Sequence, residues 1–166
     1  MCKKKVHQEI SSNIEKFQEK LQPGSPVIIV AHSMGVMAMS DYLYDQQINS
    51  DSVSSFAKIN DLRALITFGC NIPLFEMGHD NPKSIMSPSS DNDFYWKNFY
   101  SPFDVLGYRI ADYYTIRPEP DFEITDTKVY SGGMFTKWNI GSHTGYWNHK
   151  TIIKTIKSAV IDILPD

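Results

Sequence analysis

Pro26-Val27-Ile28-Ile29-Val30-Ala31-His32-Ser33-Met34-Gly35 passes from a β-branched apolar run, through a short turn, into a helix-forming segment. Val27 to Val30 is continuous and uncharged, the pattern of a strand in a parallel sheet that is covered on both faces. Val36 to Ile48 then reads as a helix whose apolar stripe includes Val36, Met39, Leu43 and Tyr44. Strand, tight turn and helix in succession make the βα unit of doubly wound sheets, so the chain is read as α/β. Ser33 stands at the apex of the turn, with Ala31 and Gly35 two positions to either side. Small residues at those positions let a strand turn sharply into a helix and lift the serine hydroxyl into the open. The helix N-terminus behind the hydroxyl favours negative charge developing there.

Working outward, Val6, Ile10, Ile14, Phe17 and Leu21 recur at helical spacing before this strand, and Pro23-Gly24 ends that helix. A Ser/Asp/Asn-rich loop spans 49–55, and Leu62 to Phe68 is a second apolar strand closed by Gly69. Residues 71–92, rich in Pro, Asn, Ser and Asp, read as a surface excursion. A third strand is expected within 94–100 and a fourth over Phe122 to Tyr130. Aromatics crowd positions 94–114, where they serve a core or line an acyl pocket. Ile152, Ile153, Ile156, Val160, Ile163 and Leu164 form the stripe of a final amphipathic helix. There are no internal repeats.

The chain has 166 residues, the size of one domain, assigned to 1–166. A net charge of −3 offers no electrostatic footprint for nucleic acid. The cluster Lys3-Lys4-Lys5 reads as a solvated helix start. Two cysteines, Cys2 and Cys70, make no metal, redox or disulfide pattern. No signal-like apolar region and no membrane-length apolar run is present, so the cytoplasm is the default compartment and no transmembrane segment is expected. No Walker, Rossmann or metal-binding pattern competes with the serine turn, and Gly132-Gly133 reads as a turn, so no cofactor and no metal are expected.

With its strand and helix in place, PVIIVAHSMG resembles the nucleophile elbow of the α/β-hydrolase superfamily, and later segments resemble its lipase branches, including the class 3 lipases. Ala31 stands where those families commonly have glycine. The resemblance implies a triad in the chain order serine, acid, histidine. His7 and His32 precede Ser33 and are excluded; His32 also points away from its neighbour in an extended strand. His79 leaves the acid too short a stretch. His149 opens a helix, where a solvated role suits it better, which leaves His143, in a flexible loop Gly141-Ser142-His143-Thr144-Gly145 before the final helix. Asp104, after Tyr100-Ser101-Pro102-Phe103, sits at the carboxyl end of the third strand, where open α/β sheets gather their sites. Asp91, Asp93, Asp112 and Asp126 are its rivals. The backbone N–H of Met34 is the implied oxyanion donor.

By the same resemblance the N-terminal strands of the family core are absent, leaving a truncated sheet of about four mostly parallel strands flanked by helices. The loop that supplies a second oxyanion donor is absent with them. The nucleophile strand is then expected at a sheet edge, covered by the same strand of a second copy or by another chain, because apolar VIIV is a poor free edge. The implied activity is hydrolysis of small-molecule or lipid carboxylic esters through Ser33, His143 and Asp104. The alternatives are a weak or inactive hydrolase-like module used for binding or assembly, and a fragment of a larger lipase.

Overall fold

Four parallel strands lie in chain order across one sheet, each joined to the next by a crossover. The computed structural model describes residues 2–22, 24–48, 62–76, 94–112, 123–132 and 140–164. Within these, α1 (Cys2–Gln18) precedes β1 (Val27–His32), α2 (Met34–Ile48), β2 (Leu62–Phe68), the short α3 (Ile72–Glu76), β3 (Tyr95–Tyr100) and β4 (Glu123–Lys128). The single-turn α4 (Ile140–Thr144), a 3₁₀ turn (Gly145–Asn148) and α5 (Lys150–Asp162) complete the order. The strands expected from the sequence are all present, and the sheet is parallel throughout rather than mostly so. The loop expected at 49–55, Asp91, Asp93 and most of the 71–92 excursion lie outside the described residues; the start of that excursion forms α3.

Alternation along β1 divides the interior into two layers. Val27, Ile29 and Ala31 pack with α1, α2 and Trp96 on one face, whereas Ile28 and Val30 pack with Phe68, Phe99, Tyr146 and α5 on the other. β2 is the central apolar strand, with Leu62, Ala64, Leu65, Ile66 and Phe68 all buried. Each large side chain so buried contributes roughly 1.5–3 kcal/mol of hydrophobic stabilisation. Of the aromatics between 94 and 114, Phe94, Trp96 and Phe99 are core residues, not pocket lining.

Among the described strands β1 lies at the edge of the sheet, as expected. It is less enclosed than β2, with Val27 to Val30 only partly buried. α1, on the same side of the sheet as α2, is seated by an edge-on contact of His7 with Tyr42 and by a polar contact of His7 Nδ1 with Asp45 Oδ2 at 3.5 Å. Its apolar stripe is only half used: Ile10 and Ile14 reach the core, while Val6 and Phe17 are 38% and 54% exposed. The final helix corrects the expected stripe in a similar way. Ile152, Ile156 and Ala159 face the sheet, but Ile153, Val160 and Leu164 are exposed, and the helix stops at Asp162. None of the described helices is long and apolar enough to cross a membrane.

Candidate active site

Ser33 closes β1 and opens α2, and it is the one non-glycine residue with positive φ (55°) among the described residues. An L-residue pays roughly 1–2 kcal/mol for this left-handed conformation. The turn is held from both sides: the Ser33 N–H donates to the Phe68 carbonyl of β2 at 3.2 Å, and the Ser33 carbonyl accepts from the Val36 N–H at 2.9 Å. Ala31 is buried, but a Cβ added at Gly35 would meet nothing within 4 Å. The expected need for a small residue at Gly35 therefore does not come from contacts among the described residues.

The structure brings Ser33, His143 and Asp104 into one line, across separations of 110 and 39 residues. The Ser33 Oγ lies 2.6 Å from His143 Nε2, and His143 Nδ1 lies 2.8 Å from Asp104 Oδ2. A carboxylate only accepts, so Nδ1 carries the proton and Nε2 is left to accept from the serine hydroxyl. His143 is not in a flexible loop, as the sequence suggested, but on α4. That single turn is too short to show periodicity. It is pinned by buried Ser142, whose hydroxyl bonds both the hydroxyl and the carbonyl of Ser131 at 3.2 Å.

Asp104 is fixed on each of its oxygens. Oδ1 accepts from the Leu106 N–H at 3.0 Å, while Oδ2 accepts from His143 and from the Tyr146 hydroxyl at 2.9 Å. The acid-bearing turn passes so close that a Cβ at Gly107 would overlap Asp104 Oδ2 and lie 2.7 Å from the Tyr146 hydroxyl. Gly69, at φ +58°, likewise leaves room at the end of β2 for His143 Cε1, His32 and Tyr146, each 3.1–3.2 Å from where its Cβ would stand.

His32 has a part that sequence reasoning missed. Its Nε2–H donates to the backbone carbonyl of His143 at 2.8 Å, and its ring stacks on Phe68 and meets Trp147 edge-on. Burial lowers its pKa below the ordinary imidazole value, keeping it neutral with a single ring proton for that bond. Asp126 also proved to be a positioning group. Thr67, Asn98 and Asp126 stand in register across β2, β3 and β4. Trp96 Nε1 donates to Thr67, Thr67 to Asn98, and Asn98 Nδ2 to both the Tyr108 carbonyl and Asp126. Asp126 further accepts from the N–H groups of Ile110 and Ala111 at 2.8–3.1 Å, which anchors the far end of the Asp104 turn. One polar residue at the same level of each of three strands was the signal available in the sequence.

The remaining candidates have other roles. Asp112 pairs with Arg109 at the surface, and His149 caps α5 by accepting from the Thr151 N–H. Burial pushes the Cys70 thiol up to about 12, so it is a packing group and not a nucleophile. Among the described residues no cluster of His, Cys, Asp and Glu is arranged to hold a metal ion. A cleft of about 470 Å³ lined by Pro26, Arg63, Tyr95, Ala159 and Asp162 opens at the amino ends of the strands, opposite the Ser33 site. Met34 is the first residue of α2, so its N–H has no partner in the preceding turn of its own helix. Its side chain is 54% exposed beside Ser33. Comparison with known protein families, curated proteins and solved structures finds no match to this chain.

Proposed function

We propose that this chain is a serine hydrolase of carboxylic esters built on the C-terminal part of an α/β-hydrolase core. The observation that carries the reading is the unbroken hydrogen-bonded line from Ser33 through His143 to Asp104, with the serine on a positive-φ strand-to-helix turn. Ser33 Oγ attacks the ester carbonyl carbon as its proton passes to His143 Nε2, and the Met34 N–H stabilises the oxyanion. Collapse breaks the bond to the alkoxide, which takes the proton from Nε2. Water, deprotonated by His143, then attacks the acyl-serine; collapse breaks the bond to Ser33 Oγ, which regains the proton from Nε2 as the carboxylic acid leaves. Asp104 holds the tautomer and balances the imidazolium. No cofactor takes part in this sequence of steps.

A second reading rests on the oxyanion site, where only the Met34 N–H is assigned. A missing donor costs roughly 3 kcal/mol, about 10²–10³ in rate. The chain alone is then a weak catalyst or a hydrolase-like binding module. Labelling with a fluorophosphonate, with p-nitrophenyl acetate turnover in parallel, tests both readings. Label on Ser33 that disappears in Ser33→Ala and His143→Ala supports the hydrolase. Label with turnover barely above background supports the weak module, and a folded, concentrated sample that takes no label overturns the triad.

The sheet edge bears on the same reading. β4 carries exposed Glu123 and Lys128, which guard its edge of the described sheet, whereas β1 has no Asp, Glu, Lys, Arg or Pro. α1, packed in the same layer as α2, leaves Val6 and Phe17 exposed. We propose that a strand of a second copy covers β1. Light scattering is expected to give a dimer; a monodisperse, stable monomer overturns this, and a complex with a different chain reassigns the edge.

A further inference from the structure

We infer that Tyr146 is a positioning residue of this site, one that aims the Asp104 carboxylate at His143 and moderates the charge it presents. The inference rests on the Ser33–His143–Asp104 reading. Tyr146 is fully buried in the 3₁₀ turn that follows α4, so it is carried by the same segment as His143. Its hydroxyl accepts from the Ser101 N–H at 2.9 Å. The Ser131 side chain also bonds this hydroxyl; a carboxylate only accepts, so the bond to Oδ2 at 2.9 Å is donated by the phenolic proton.

A buried tyrosine needs some acceptor, and most sites would serve. Here the acceptor is the one carboxylate oxygen that also faces His143 Nδ1. The donor to the hydroxyl is the backbone immediately after β3, at the root of the turn that carries Asp104. One hydroxyl therefore ties the base-bearing segment to the acid-bearing turn. Gly107 leaves the space both groups occupy. Sharing Oδ2 between two donors disperses part of its charge and limits how strongly it holds the Nδ1 proton.

Tyr146→Phe keeps the ring and removes the donor. With p-nitrophenyl acetate, kcat is expected to fall about tenfold at unchanged KM, the loss of one hydrogen bond to a charged group. The downfield NMR proton of the His143–Asp104 hydrogen bond is expected to move further downfield, because Oδ2 then serves His143 alone. Site-specific 3-fluorotyrosine at position 146 retains the hydroxyl as a stronger donor and is expected to move the same resonance upfield. Opposite shifts distinguish a hydrogen-bond donor from a packing role. A resonance that stays in place, or moves the same way in both variants, overturns the inference. The NMR readout needs no turnover, so it stands apart from the labelling of Ser33 that tests the hydrolase reading. 

Discussion

Asp104→Asn is expected to leave the chain folded and to slow fluorophosphonate labelling of Ser33 by about 10⁴, the loss associated with a wrongly held imidazole tautomer. The direction follows from three donors around one carboxylate. Leu106 offers a backbone N–H to Oδ1, while His143 Nδ1 and the Tyr146 hydroxyl converge on Oδ2. An asparagine has one acceptor oxygen and one amide nitrogen to place between these two positions. The Leu106 N–H has no alternative to donating, whereas an imidazole changes tautomer and a hydroxyl rotates. The oxygen therefore settles toward Leu106, and the amide donates to Nδ1. The ring proton is driven to Nε2, 2.6 Å from the Ser33 Oγ, where it blocks proton abstraction. Labelling rate and thermal midpoint together check this: a rate within tenfold of wild type at an unchanged midpoint would remove Asp104 from the triad.

The elements legible in the sequence are those whose signal is local. Val27 to Val30 is an apolar, β-branched run and Leu62 to Phe68 a mainly apolar one closed by Gly69, and both are strands. The site residues emerged because the motif around Ser33 implied a chain order, and the structure places Ser33, His143 and Asp104 within hydrogen-bond reach. What stayed hidden depends on partners remote in the chain. Asn98 is an ordinary polar interruption of YWKNFY until the register sets it between Thr67 and Asp126. His143 read as a loop residue because nothing in five residues signals a helical turn that Ser131 and Ser142 hold in place. Periodicity identified the stripe of α1 but not what covers it, which is why Val6 and Phe17 fall outside the core.

The pieces of this site differ in how firmly they are held. His143 is held by His32 and by the Ser131–Ser142 bonds, and Asp104 by the Leu106 N–H and the Tyr146 hydroxyl. On the proposed reading, the oxyanion donor assigned among the described residues is the start of α2, which follows the edge strand of the described sheet. If the chain is the proposed hydrolase, its rate is limited by charge stabilisation rather than by proton transfer, because electrostatic stabilisation is usually the largest single contribution. A strand alongside β1 would lie next to this oxyanion side. Dimer formation and turnover are therefore expected to rise together with protein concentration.

Asp126→Ala is expected to lower the thermal midpoint by about 10–20 °C, the response of a domain this size to a loss of roughly 3–6 kcal/mol. Asp126 is far from exposed strand chemistry in what it does: it accepts from Asn98 Nδ2 at 2.7 Å and from the N–H groups of Ile110 and Ala111. Removing the carboxylate leaves three donors without their partner, each costing about 1–3 kcal/mol when it stays buried. Asn98 and Ile110 are fully buried, which keeps water from replacing the lost acceptor. The same bonds close the segment that begins at Asp104, so labelling of Ser33 is expected to slow even at temperatures where the variant is folded. Asp112→Ala is the matched control, since its exposed pair with Arg109 is worth only about 0–1 kcal/mol. Thermal melts and labelling rates of the two variants decide the matter: equal midpoints would mean that the Thr67–Asn98–Asp126 row does not hold the acid-bearing turn.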